Sequence, residues 1–304
     1  MKITNNFGMP QPFVDFAIND KYSKGLADIS VTSLIDSPKV KIMKDVYNEE
    51  IEVDAVDMVW ALFGTAVHSV LEQSNPSKNV ITEERLYSKL NGWIISGALD
   101  RQEIENGITT IIDYKVTSVW SVIYGKIEWE RQLNCYAWLL RDKHMKNQNE
   151  VGALKICAIL RDWNRREAER KENYPKAPIV FVDIPLWDKE VAHNYVSERL
   201  SKHQEAQMNY DVNKEFSLCS DEEMWKKNDA WAVKKKGQKR ALRVLDTEEE
   251  AIKYMKWHNE TEQAYMKKSD LEIEFRGGEY TRCGNYCSVA EFCSQYKERL
   301  NERK

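Results

Sequence analysis

The chain has no apolar run approaching the roughly 20 residues that a membrane-spanning helix needs. Its first residues, Met1-Lys2-Ile3-Thr4-Asn5-Asn6, lack the hydrophobic core of a secretion signal. Both absences lead to the expectation of an intracellular protein without a membrane partner. An excess of positive charge is also missing: 45 Lys and Arg against 49 Asp and Glu leave a net charge of −4. Whole-chain steering toward a polyanion is therefore weak, and any nucleic-acid binding must come from local patches. No repeat or low-complexity segment stands out. What is there is 304 residues, 31% of them charged, enough to bury a sizeable core in one elaborated domain or two small ones. Ten tryptophans and fourteen tyrosines are many for this length. Some can stack on bases or sugars, but they are dispersed and mark no single platform.

The most informative stretch is Gly107-Ile108-Thr109-Thr110-Ile111-Ile112-Asp113-Tyr114-Lys115. A β-branched, apolar segment ends there in a carboxylate and an amine two residues apart, which on a strand share one face. Upstream, Trp93-Ile94-Ile95-Ser96-Gly97-Ala98-Leu99-Asp100 predicts a second strand that also ends in a carboxylate. Two aspartates on neighbouring strands can hold a hard divalent cation, and the lysine can polarise a phosphate or assist an attacking water. A surface ion pair has the same local signature, so the surroundings decide. Gly64-Thr65-Ala66-Val67-His68-Ser69-Val70-Leu71-Glu72 lies in a helical segment. Its stripe of Val56, Val59, Trp60, Phe63, Val67, Val70 and Leu71 is expected to face the core. His68 stands beside that stripe, where a packed core histidine is the commoner outcome. Glu130 to Leu140 predicts another helix, with Gln132 and Tyr136 on one face.

The order of these elements, from about Gly64 to Tyr136, resembles the PD-(D/E)XK nuclease superfamily, and within it the RecB-type exonuclease branch. The resemblance implies an α/β fold with a restriction-endonuclease-like central mixed β-sheet flanked by helices. It also implies one or two Mg²⁺ or Mn²⁺ ions on Asp100 and Asp113, with His68 and the backbone carbonyl of Tyr114 as further ligands. Lys115 would orient or deprotonate the water, or stabilise charge on the phosphate. Gln132 and Tyr136 would brace the site or touch the DNA backbone. Glu83 or Glu84 is a weaker candidate for one more carboxylate, since either can simply be solvated. Asp113 and Lys115 are expected at a solvent-facing site.

Cysteine forms a second constellation. Cys135 and Cys157 lie in apolar periodic segments and read as small buried hydrophobes. Cys283, Cys287 and Cys293 fall within eleven residues, a spacing that in reduced compartments points to metal rather than disulfides. Cys219 is then the candidate fourth ligand, and four thiolates suit a tetrahedral zinc or an iron–sulfur cluster. The run resembles the C-terminal cluster of the AddB family and CRISPR-associated exonucleases, which implies a 4Fe–4S centre in a C-terminal extension. It departs from that pattern in having three residues between its first two cysteines, and no cysteine in Ser33-Leu34-Ile35-Asp36-Ser37-Pro38.

Along the chain, the expected organisation is an N-terminal arm and helix (1–50), a nuclease core (51–210) and an extension with a basic hairpin, a helix and the cysteine cluster (211–304). Strands are predicted at Gly152–Leu160 and Pro178–Pro185, and a helix at 188–208. Gly237-Gln238 predicts a hairpin turn, with Lys234, Lys235, Lys236, Lys239 and Arg240 as candidate phosphate contacts. A lysine-rich edge that discourages aggregation has the same composition. The resemblance implies a metal-dependent DNA exonuclease acting in recombination, repair or DNA processing, in the cytoplasm of a bacterial or phage-infected cell. A single-strand annealing or recombination protein would be its companion. A non-catalytic DNA-binding module and an end-processing endonuclease remain alternatives.

Overall fold

A computed structural model describes residues 1–19, 25–73, 78–144, 150–263 and 270–301. The chain divides into two compact units, Met1–Ser217 and Leu218–Lys304.

In chain order the first unit contains β1 (Lys2–Thr4), α1 (Gln11–Ile18), β2 (Ile29–Ser30), α2 (Val31–Leu34), α3 (Pro38–Val46), β3 (Glu52–Asp54), α4 (Val59–Glu72), β4 (Val80–Leu90), β5 (Trp93–Glu105) and β6 (Ile108–Thr117). It continues with α5 (Val119–Tyr124), α6 (Ile127–His144), β7 (Glu150–Leu160), α7 (Arg165–Arg170), β8 (Ile179–Ile184) and α8 (Lys189–Asn213). The described residues of the first fifty thus hold three helices, where an arm and a helix were expected. The main sheet has the order β2-β5-β6-β7-β8, with β4 paired to β5. It is mixed, since β6 and β7 run parallel while β5–β6 and β7–β8 are antiparallel.

Local chemistry explains the β4–β5–β6 meander. Asn91-Gly92 and Asn106-Gly107 each place two consecutive residues at positive φ (48° and 87°, then 50° and 79°). Such a pair closes a two-residue hairpin whose twist matches the strands, and Asn-Gly tolerates it best. The hairpins set the registers Leu90↔Trp93 and Glu105↔Ile108. Helix α6 supplies the centre of the core: Leu133, Ala137, Leu139 and Leu140 are fully buried among Ile95, Leu99, Ile111 and Ile156 of the sheet.

Helix α4 departs from expectation. None of its residues is buried, and Trp60, Phe63 and Val70 stand exposed. Its helical periodicity is real, but it packs beside α1 and β6 rather than over the main core. The stripe therefore borders an open region. The segment from Arg161 to Tyr174 contains α7 and buries Ala168 and Tyr174.

The second unit holds a three-stranded sheet in the order β10-β9-β11, from β9 (Ala230–Lys235), β10 (Ala241–Leu245) and β11 (Leu271–Arg276). Helix α9 (Glu248–Gln263) opens with Glu248, Glu249 and Glu250, which favour its N-terminal dipole. Helices α10 (Thr281–Asn285) and α11 (Ser294–Asn301) complete the unit.

Candidate active site

The site lies where the main sheet forks. β4 occupies one edge of β5 along nearly its whole length, so β2 and β6 must share the other edge. β2 pairs at Ile95 and Ser96, β6 at Arg101 to Glu105, and residues 97–100 of β5 have no strand between them on that side. Asp100 stands just beyond the last β5–β6 pair, Arg101↔Ile112, and Asp113 just beyond it on β6. Asp100 is therefore mid-strand, not at a strand end as the sequence pattern suggested, since β5 runs on to Glu105.

A fork leaves backbone groups without ladder partners, and buried ones must be satisfied elsewhere. The Tyr114 N–H donates to Asp100 Oδ2 at 2.7 Å. The Tyr114 carbonyl oxygen lies 3.3 Å from His68 Nε2. His68 Nδ1 in turn lies 3.5 Å from Asp100 Oδ1 and 3.6 Å from Glu83 Oε1. Ligand atoms of His68, Glu83 and Asp100 all fall within 4.8 Å of one another, the one converging group of His, Cys, Asp and Glu among the described residues. Glu83 holds a backbone φ of +49°, a conformation that costs a non-glycine residue roughly 1–2 kcal/mol. It turns toward His68 while its neighbour Glu84 pairs with Lys143 and accepts from Gln102 at 2.9 Å.

On β6, Asp113 is 1% exposed. Its Oδ2 lies 2.7 Å from Lys115 Nζ, and its Oδ1 accepts from Gln132 Nε2 at 3.3 Å. Gln132 also donates to the Tyr136 hydroxyl at 2.8 Å, one turn along α6. The expectation that Asp113 faces solvent is corrected here: the α6 side chains cover it, and Lys115 is the part of the pair that retains some exposure. Gly97 makes room for this arrangement, because a Cβ there would sit 2.7 Å from the Tyr136 ring.

The electrostatics express crowded anions. Burial, then the Asp113 charge, pushes the Asp100 carboxyl up to about 7. The hydrogen bond to Glu83 leads the causes that raise His68, joined by the charges of Asp100, Glu83 and Asp113 against an opposing desolvation. Burial alone would lower Lys115, but the Asp113 carboxylate overrides it and the net shift is upward. Buried carboxylates that repel each other around a histidine, with oxygen and nitrogen donors converging, suit a hard divalent cation. The residues present fit such an ion.

The expected site residues are therefore grouped. His68, Asp100, Asp113, Tyr114, Lys115, Gln132 and Tyr136 are linked through contacts in one place, and Glu83 joins them while Glu84 does not. Gly97 was not singled out from the sequence, where nothing distinguishes a glycine under a tyrosine ring.

In the second unit, β9 and β10 form the predicted hairpin across Gly237. Lys234 is turned toward β11, where it pairs with Glu272 (3.3 Å) and Glu274. Lys236, Lys239 and Arg240 are exposed around the turn, and Lys235 is half-buried. Gln295, buried, clamps the backbone of Cys219 by accepting from its N–H (2.9 Å) and donating to its carbonyl (2.8 Å). Cys219 is thereby tied to a residue two positions from the buried Cys293. Cys283 and Cys287 are half-buried. Cys135 and Cys157 are buried, as expected, and burial pushes the Cys135 thiol up to about 12.

The forked mixed sheet thus carries the paired aspartates and the lysine at one place. The model of the PD-(D/E)XK nuclease superfamily matches residues 74–294, more than half of the sequence, and the chain belongs to that superfamily. Among solved structures, it is similar to the crystal structure of SSO0001, with 18% identity and a TM-score of 0.41 over 63% of this chain and 82% of that one. It is also similar to a provisionally named exonuclease from Eubacterium rectale, with 15% identity and a TM-score of 0.27 over 68% of this chain and 76% of that one. No curated protein matches the sequence.

Proposed function

We propose that the protein is a divalent-metal-dependent DNA exonuclease, using Mg²⁺ or Mn²⁺ held by His68, Glu83, Asp100 and Asp113 with the Tyr114 carbonyl alongside. The observation that carries this reading is the fork itself, which sets Asp100 and Asp113 beside each other with Lys115 Nζ 2.7 Å from Asp113. When bound, the ion would supply acidity to water and neutralise charge developing on the phosphate. The rest falls to the chain's own groups. The Lys115 ammonium, anchored on Asp113 and partly exposed, can swing its free protons onto a non-bridging phosphate oxygen and stabilise the charge that builds there. Asp113 fixes the lysine's position, and Gln132, held by Tyr136, fixes Asp113. His68 holds Asp100 and Glu83 together on the α4 side. The expected companions are DNA ends and a recombination or strand-annealing protein, in the cytoplasm of a bacterial or phage-infected cell. Among the described residues no helix is long and apolar enough to cross a membrane.

The terminal cysteines Cys219, Cys283, Cys287 and Cys293 are proposed to hold an iron–sulfur cluster, with zinc as the alternative. The Gln295 clamp on Cys219 supports this reading, since it holds the Cys219 backbone against a residue two positions after Cys293 in sequence. The exposed Lys236, Lys239 and Arg240, with Lys234 and Lys235 behind them, are proposed to contact DNA phosphates.

The test is degradation of end-labelled linear DNA beside a closed circle, with Mg²⁺ or Mn²⁺, for wild type, Lys115→Ala and the isosteric Asp113→Asn. Loss of linear DNA alone, absent in both variants, supports the exonuclease. Cutting of the circle converts the reading to an endonuclease. Binding without cleavage of either substrate leaves a DNA-binding module.

A further inference from the structure

The sequence scatters its aromatic residues, but the fold ties two exposed aromatic pairs to the end of β6. Trp60 and Phe63 of α4 are 52% and 49% exposed, and Trp120 and Tyr124 of α5 are 51% and 79% exposed. Trp60 and Phe63 lie with ring centroids 5.7 Å apart. Trp120 and Tyr124, one helical turn apart, lie nearly parallel at 5.9 Å and 15°. One dipeptide ties the two pairs together. The Arg161 guanidinium lies 4.1 Å over the Trp60 ring, while the Arg161 backbone N–H donates to the Thr117 carbonyl at the end of β6. Asp162 accepts the Val119 N–H at 2.7 Å, at the first residue of α5. Both pairs are thus fixed to the strand end two residues beyond Lys115.

Leaving about half or more of each ring residue in water forfeits apolar burial that a core would have used. Their character alone does not name an occupant. Protein interfaces also use aromatic rings and arginine, so the deciding observation is position: the rings adjoin the end of β6, the strand that carries Asp113 and Lys115. Here flat faces are combined with a guanidinium stacked on one ring and an ammonium at the adjoining strand. That pairing of π-faces and fixed positive charge is what an unpaired polynucleotide requires. In a duplex the bases are stacked on one another and cannot reach such faces.

We infer that Trp60, Phe63, Trp120 and Tyr124, with Arg161, form a platform on which the unpaired bases of a single-stranded DNA end stack next to the scissile phosphate. This rests on the nuclease reading above and narrows its substrate to DNA with unpaired nucleotides at the site. The Arg161 side chain meets the backbone between stacked bases, and the Trp120–Tyr124 pair takes bases farther from the cut.

The test is binding of a dye-labelled oligo-dT and of a fully paired blunt duplex, by fluorescence anisotropy in EDTA, alongside cleavage of single-stranded DNA with Mg²⁺ or Mn²⁺. Trp120→Ala and Tyr124→Ala are each expected to weaken oligo-dT binding about tenfold, with the preference for oligo-dT over duplex falling by the same factor. Trp120→Phe, which keeps a flat ring, should regain most of the loss. Phe181→Ala, removing an equally exposed ring from the far edge strand β8, should bind as wild type does. Wild-type affinity in Trp120→Ala, in a protein that still cleaves DNA, would overturn the platform and leave the nuclease reading standing. A wild-type protein that neither binds nor cleaves DNA overturns both.

Discussion

At the scale of single residues, Asp100 shows how the site sets function against stability. Its carboxyl is raised to about 7, above its ordinary value near 4, because burial and then Asp113 disfavour its charge. A folded state that binds a proton more tightly than the unfolded chain loses that advantage as pH rises between the two values. Without metal, the protein should therefore lose stability between about pH 4 and pH 7, and a bound cation should restore it. Asp100→Asn keeps an acceptor for the Tyr114 N–H but removes the charge. In EDTA at pH 8 the variant should melt about 3–6 °C above wild type, a gain on the order of 2 kcal/mol. Mn²⁺ should then raise the melting temperature of wild type only, and the variant should not cleave DNA. A lower melting point for the variant would refute the repulsion. Gln132 acts one contact farther out, since its amide reaches Asp113 Oδ1 at 3.3 Å. Gln132→Ala should lower kcat about tenfold to a hundredfold with KM little changed, measured on linear DNA under saturating metal.

The elements place these residues, and two small features hold the elements together. Gly97 of β5 lies under Tyr136 and Leu139 of α6. Gly97→Ala should destabilise the protein by about 1–3 kcal/mol, seen in urea unfolding, and should reduce cleavage as Tyr136 shifts and takes Gln132 with it. Elsewhere in the unit, His203 of α8 is buried with Nε2 3.1 Å from the Leu34 carbonyl. Burial, then the Arg199 charge, lowers it to about 4. Its proton is bound more tightly when unfolded, so stability is full above about pH 6.5 and falls as pH drops toward 4. His203→Gln should flatten that part of the stability curve, recorded as melting temperature against pH. Much at this scale was legible in the sequence. The strands before Asp100 and Asp113 announce themselves through β-branched runs, and α6 through its apolar spacing. The exposure of α4 was not legible, because periodicity shows that a stripe exists but not what covers it. Nor was Glu83: its positive φ and its turn toward His68 arise from tertiary context, and from the sequence it could not be separated from Glu84. Lys234 looked like part of a phosphate-binding run, and only β11 with Glu272 and Glu274 reveals its local partners.

For the whole molecule, the terminal unit offers a direct check. If Cys219, Cys283, Cys287 and Cys293 hold an iron–sulfur cluster, anaerobically purified protein should absorb in the visible range. Cys287→Ala should bleach it and lower the melting temperature, since metal binding contributes directly to folding. A colourless wild type loaded with zinc would sink the iron–sulfur version. The forked sheet has its own consequence, in the order of events during folding. The Asn-Gly hairpins join neighbours in sequence and close within microseconds, whereas β2 reaches β5 from afar: Asp28 Oδ2 accepts the Ile94 N–H across 66 residues. Until that distant strand arrives, nothing stops β6 from zipping along the same edge of β5 and sealing the gap in which Asp100 and Asp113 stand. During refolding, ellipticity should return before the power to cut DNA.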